Sequence, residues 1–178
     1  RLYVHADDIR QITEAVHFKR AIGFSELTIV GGYDAPHVAD LHRDNGVSVM
    51  VRRVHELPRY AEDDVSLPFR IPKQLEDEGV LYCLQNAGDM EHMGTRNLPF
   101  YAGTAHAYGL TYEQAVRSVT LNAARILGID DQCGSIETGK DATLFISEGD
   151  ALDMMTNRLS HAFIQGRSID LDNRPREL

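Results

Sequence analysis

The chain has no apolar run that reaches the roughly 20 residues a bilayer requires, which excludes a membrane-spanning helix. It also lacks positive charge: 18 Lys and Arg against 27 Asp and Glu leave a net −9 and a pI near 5.3. Nucleic acid is therefore excluded as a partner, because phosphates demand a basic face. Cysteine is scarce, at two residues. Cys83 lies in an apolar strand run and Cys133 beside a glycine turn, with no metal-type spacing between them, so they read as a small buried hydrophobe and a surface thiol. No internal repeat or low-complexity linker interrupts the chain. A full dinucleotide-binding glycine pattern is missing too: Gly31-Gly32 is only a two-glycine turn, and Asp34 beside it repels phosphate. No signal peptide opens the chain. It begins at Arg1-Leu2-Tyr3-Val4, already inside a strand-like run, so we expect the natural N-terminus, with any targeting signal, to lie upstream.

What is present suits a folded body. With 178 residues, 43% of them hydrophobic and 25% charged, the chain can bury a core. It is shorter than the roughly 250 residues of a complete eight-stranded (β/α) barrel. Short apolar runs alternate with amphipathic segments. Leu2–His5 reads as a strand, and Asp8 with Gln11 is a capping box that opens a helix carrying Ile9, Ile12, Val16 and Phe18. Gly23 ends it. Leu27–Val30 is the second strand, closed by Gly31-Gly32. The next helix starts at Asp34-Ala35-Pro36 and ends at Gly46. Val47–Val51 is the third strand, followed by a long polar loop from Arg52 to Pro68 and a helix around Lys73–Glu78. Val80–Leu84 is the fourth.

Four strands separated by helices imply right-handed βαβ crossovers and a parallel sheet. The expected class is α/β, with about four βα units making half of a TIM-like barrel over residues 1–130. An open half exposes strand edges and an apolar inner face. We therefore expect a partner: an upstream segment, a companion chain or a second copy in a homo-oligomer. Beyond the fourth strand come a helix from Leu98 to Tyr108, a second capping box at Thr111 and Gln114, and a shorter helical turn from Thr120 to Gly128. Residues 131–178 read as a β-rich tail, with strands at 143–147, 162–165 and 168–171.

One stretch carries more than local structure. Thr120-Leu121-Asn122-Ala123-Ala124-Arg125-Ile126-Leu127-Gly128, followed by Gly134-Ser135-Ile136-Glu137-Thr138-Gly139-Lys140-Asp141-Ala142-Thr143-Leu144, resembles the C-terminal signature of the amidohydrolase superfamily. The likeness is to its imidazolonepropionase-like and dihydroorotase-like members, which are metal-dependent hydrolases of amide and related C–N bonds. It implies that this chain is the C-terminal half of such an enzyme, and that the β-rich tail belongs to a composite β-sandwich beside the barrel. It extends upstream to Val4-His5-Ala6, which is similar to the family segment whose histidine ligates a catalytic metal. His5 is thus the metal-ligand candidate for a divalent ion, zinc by the chemistry of a neutral imidazole.

Other positions depart from the family pattern. Where the family's sixth strand ends in a histidine, this chain reads Ile29-Val30-Gly31-Gly32-Tyr33. Where its eighth strand delivers an aspartate, this chain has Gln85-Asn86, whose amides cannot act as general bases. Asp89, three residues on, is the candidate catalytic base. His92 and Arg96, in the same loop, and His55, after the third strand, are candidate substrate-binding residues, with Arg59 also able to face a ligand. The run Glu62-Asp63-Asp64 reads as a solvated face. The expected function is metal-dependent hydrolysis of an amide, peptide-like or cyclic C–N bond in a small-molecule substrate. The alternatives are a family member that binds a ligand without turnover, and a self-assembling structural half-barrel.

Overall fold

The computed structural model describes residues 1–86 and 91–171. Strands β1 (Leu2–Ala6), β2 (Leu27–Gly31), β3 (Val47–Val51) and β4 (Tyr82–Leu84) form one parallel sheet in that order. Their registers stack Val4, Ile29, Val49 and Tyr82 in a single row, with Leu2, Leu27 and Val47 in the row before it. These side chains form the core against the helices, with Ile29, Val49, Ile12, Val16 and Leu75 wholly buried. Each such residue contributes about 1.5–3 kcal/mol by leaving water. The alternate positions face the other way, and the sheet is half of a TIM barrel that the four strands do not close.

Local signals account for most of the helices. In α1 (Ile9–Ile22), Asp8 Oδ1 accepts from the Gln11 amide at 2.9 Å. Gln11 returns its side chain to the Asp7 N–H at 3.1 Å, one residue earlier than the box predicts. Gly23 closes the helix in the left-handed region at φ 83°. After β2 the predicted helix begins as a 3₁₀ turn, Ala35–Val38, before α2 (Ala39–Asn45). The helix expected around Lys73 starts earlier, as α3 (Leu67–Asp77). The reason is a buried stripe of Pro68, Ile71, Pro72 and Leu75 at helical spacing, in which two of the four apolar groups are prolines.

Downstream lie a 3₁₀ segment (Glu91–Asn97), α4 (Leu98–Ala107), α5 (Tyr112–Val119) and α6 (Leu121–Leu127). The α5 capping box is complete in both directions, with Thr111 and Gln114 exchanging bonds of 2.8 and 3.2 Å. Thr120 does not cap α6; its hydroxyl donates back to the Val116 carbonyl at 2.8 Å. Helix α6 reaches β1, where the Tyr3 hydroxyl donates to the Ile126 carbonyl at 3.3 Å. The tail forms a separate antiparallel sheet, β5 (Leu144–Ser147), β6 (Leu159–Ile164) and β7 (Arg167–Ile169). Among the described residues no helix is long and apolar enough to cross a membrane.

Candidate active site

In a parallel sheet of this kind functional groups gather where the strands end and the following loops begin. Backbone bonds lock those ends together. Gly32 donates to the Ala6 carbonyl at 2.8 Å, Asp34 to the Asp7 carbonyl at 2.8 Å, and Arg52 to the Gly31 carbonyl at 3.1 Å. The result is a cleft of about 300 Å³ over the mouth of β1–β3, with Asp7, Tyr33, Arg52, Arg53, Glu56 and Arg59 on its walls.

His5 lies on the face of β1 opposite the helix-packed residues and is exposed. Its row across the sheet is Val30, Met50 and Cys83. Two are apolar, and the third, Cys83, is buried, which pushes its thiol up to about 12. No other histidine, aspartate or glutamate lies beside His5 on the four strands.

Asp7, two residues on, is held by arginines. Its Oδ2 lies 2.8 Å from Arg59 Nη1 and 3.6 Å from Arg52 Nη1. Arg52 Nε in turn lies 2.9 Å from Glu56. Asp7 Oδ1 is buried and accepts no hydrogen bond. It sits against Gly31, where a Cβ would meet it at 2.5 Å and the Ala6 carbonyl at 3.1 Å. Gly31 also has φ 115°, a conformation side chains rarely adopt. A side chain at Gly31 would therefore be strained and would require Asp7 to move.

The loop after β3 is strapped down by a tyrosine. The Tyr33 hydroxyl donates to Asp63 Oδ2 at 2.5 Å and accepts from the Arg59 amide at 3.0 Å. Burial and that carboxylate push the phenol up to about 12. Asp63 is half-buried, so the acidic run is not wholly a solvated face. Asp34 is buried, with Oδ2 accepting from the Ile9 amide at 3.2 Å and the Tyr60 hydroxyl at 3.4 Å.

His55 turns toward α4, its Nε2 sharing a 2.6 Å bond with Thr104 Oγ1 and its ring standing edge-on to Tyr101 at 4.8 Å. Burial first, then the nearby Arg53 charge, lowers its pKa. At the end of β4, Asn86 Oδ1 accepts from the Tyr101 hydroxyl at 3.3 Å, and Gln85 Oε1 is buried without a donor. Arg96 is exposed on the 3₁₀ segment. Asp89 and the side chain of His92 lie outside the described residues.

The structure thus brings Asp7, Arg52 and Arg59 together, and leaves His5 and His55 on other surfaces. The sequence marks Asp7 and Arg52 only weakly, as charged residues within two positions of the ends of two strand runs. The described residues do not fit a metal. No group of three or more His, Cys, Asp or Glu converges among them.

A model of the amidohydrolase family matches residues 34–169. Among solved structures, an amidohydrolase from Thermotoga maritima MSB8 superposes with a TM-score of 0.78 at 26% identity, covering 94% of this chain and 43% of that one. A prolidase complexed with N-methylphosphonate-L-proline gives 0.70 at 21% identity, covering 94% and 44%. An adenosine deaminase from Xanthomonas campestris with bound zinc gives 0.56 at 18%, covering 96% and 47%. The likeness to these last two is one of fold. No curated protein matches. The chain spans less than half the length of these solved structures.

Proposed function

The chain belongs to the amidohydrolase family, and from that premise we propose that it forms the C-terminal half of a barrel that hydrolyses an amide, peptide-like or cyclic C–N bond. The substrate is a small molecule bound over the strand mouth. One observation carries this reading: the ends of β1, β2 and β3 converge on a single cleft walled by two carboxylates and three guanidiniums. That is where substrate-orienting groups sit in parallel barrels.

His5 is the residue of this chain that we assign to a divalent metal, zinc by its ligand chemistry. Such an ion, when bound, polarises a carbonyl and activates water. The described donors are too few to hold it; further ligands belong to other segments of the complete barrel and to Asp89, the candidate base. His55, His92 and Arg96 remain proposed substrate contacts. We assign the tail sheet to a composite β-sandwich completed by a companion segment.

A second reading has its own support. Gly31 excludes a side chain by its φ and its contact with Asp7, and Gln85-Asn86 place amides where a base is needed. Both suit a member that binds its ligand without turnover. A self-assembling half-barrel is the third reading, supported by the exposure of Tyr3 and His5 on the inner face. Elemental analysis of the complete barrel, extended upstream of Arg1, with an amide-hydrolysis panel separates the first two. About one metal per chain, lost together with turnover in His5→Ala, supports the hydrolase. A folded, metal-free protein inert to every amide sinks it in favour of the binder.

A further inference from the structure

We propose that the loop between β3 and α3 is a gate over the cleft, with the Arg59–Asp7 ion pair as its latch. This rests on the reading of that cleft as the substrate site and adds how entry to it is controlled.

Both feet of the loop are fixed. Val54 is buried at one end, and Pro68, in α3, at the other. Near the second foot, Asp64 Oδ1 accepts from the Ser66 amide at 2.7 Å and from its hydroxyl at 2.6 Å. Asp64 Oδ2 lies 3.4 Å from Arg70 Nη2 on the first turns of α3. Between Val54 and Pro68 the picture reverses, for no residue there is buried. Leu57 and Val65 are 82% and 70% exposed. Hydrophobic burial does not hold this span down. A segment of that kind opens locally while the sheet beneath it stays folded.

Polar contacts hold it instead, and they run from α4 to the strand mouth. His55 Nε2 meets Thr104 Oγ1 of α4 at 2.6 Å. Farther along, Arg59 Nη1 lies 2.8 Å from Asp7 Oδ2, and Asp63 and Tyr60 bond Tyr33 and Asp34. Asp7, Tyr33 and Asp34 all lie within three residues of the ends of β1 and β2. The Arg59 contact is the charge-assisted one, which makes it the strongest of these links. Both its partners are walls of the cleft, so the latch closes on the site itself. Its guanidinium is 41% exposed, so salt screens the pair. Loops held in this way open and close on the microsecond-to-millisecond scale, fast enough to admit a ligand at each turnover.

Val51 lines the cleft and is buried, so a thiol placed there reports access. The test uses the complete barrel, extended upstream of Arg1, carrying Val51→Cys and Cys133→Ser. Labelling at position 51 by N-ethylmaleimide is timed and located by peptide mass spectrometry. Arg59→Gln should speed it about tenfold, the loss of one charge-assisted bond. Asp7→Asn, which removes the latch from the strand side, should do the same. Raising NaCl to about 1 M should speed labelling in the latched protein and not in Arg59→Gln. Removing Arg59 or screening it lowers the thiolate fraction, so faster labelling reports access rather than reactivity. Arg10→Gln, on the exposed Arg10–Glu14 pair of α1, should change nothing. An unchanged rate in Arg59→Gln and Asp7→Asn overturns the proposal. So does a faster rate accompanied by faster hydrogen exchange throughout β1–β3, which is unfolding and not gating. Should Val51→Cys lose its cooperative melt, hydrogen exchange at the bonded Arg59 and Asp63 amides decides. No readout uses turnover. A latch-dependent rate in an inert protein removes the hydrolase and leaves the gate standing, and turnover with a latch-independent rate does the reverse.

Discussion

The Tyr33 hydroxyl, just past the end of β2, donates at 2.5 Å to Asp63, which sits in the loop between β3 and α3. That bond, with the Arg59–Asp7 and Tyr60–Asp34 contacts, ties the long polar loop to the strand mouth. The same hydroxyl accepts from the Arg59 amide, so one oxygen sets both the loop's path and the position of an arginine.

Removing that hydroxyl should release the loop without unfolding the sheet. Tyr33→Phe is expected to cost about 1 kcal/mol and to raise hydrogen exchange at the loop amides selectively. The phenol is held protonated to about pH 12. Its contribution is therefore complete below about pH 10, where an unfolded tyrosine begins to ionise, and is lost as pH climbs from there toward 12. Urea midpoints measured from pH 9 to 12 should fall more steeply for the wild type than for Tyr33→Phe.

Restoring a histidine at the end of β2 should not build a metal site. In Gly31→His the new Cβ meets Asp7 Oδ1 at 2.5 Å on a backbone with φ 115°. We expect a loss of about 1–3 kcal/mol in stability and no gain in zinc affinity. Tighter zinc binding in the variant would show that the mouth can open at this point.

His42 predicts acid sensitivity. It is wholly buried below the core, with Nδ1 3.3 Å from the Val47 carbonyl and Nε2 without a partner. Burial lowers its pKa, so the folded state holds the neutral ring. Its stabilisation is present above about pH 6.5 and declines as pH falls further, because only the unfolded state takes up the proton readily. His42→Asn should flatten the dependence of the urea midpoint on pH between 4 and 7, at a cost of about 1–2 kcal/mol for the cavity.

The α5 cap gives a local control. Thr111→Ala removes one half of a complete capping box and should cost about 1 kcal/mol. Thermal melts should record that loss, and the cleft should keep its shape, because α5 contributes no wall to it.

The strands and most helices were legible because their causes are local. Asp8, Gly23, Thr111 and Gly46 act within a turn of the helix they bound, and the apolar strand runs declare burial on their own. The start of α3 was not legible, since a stripe built partly of prolines reads as loop until the sheet it covers is in place. Thr120 misled for the opposite reason: its hydroxyl had a nearer carbonyl in α5.

At the candidate site the balance shifts. The sequence by itself determined the parallel half-barrel, the strand ends where chemistry gathers, and the candidates His5, His55 and Arg59, because alternation, caps and motif order are written along the chain. Only the tertiary structure decided that Asp7 is shared by Arg52 and Arg59, that Gly31 has no room for a side chain, and that His55 turns to Thr104. These are meetings between residues far apart in the chain, fixed by how the strand ends dock and how the loop crosses them. No local pattern carries that information.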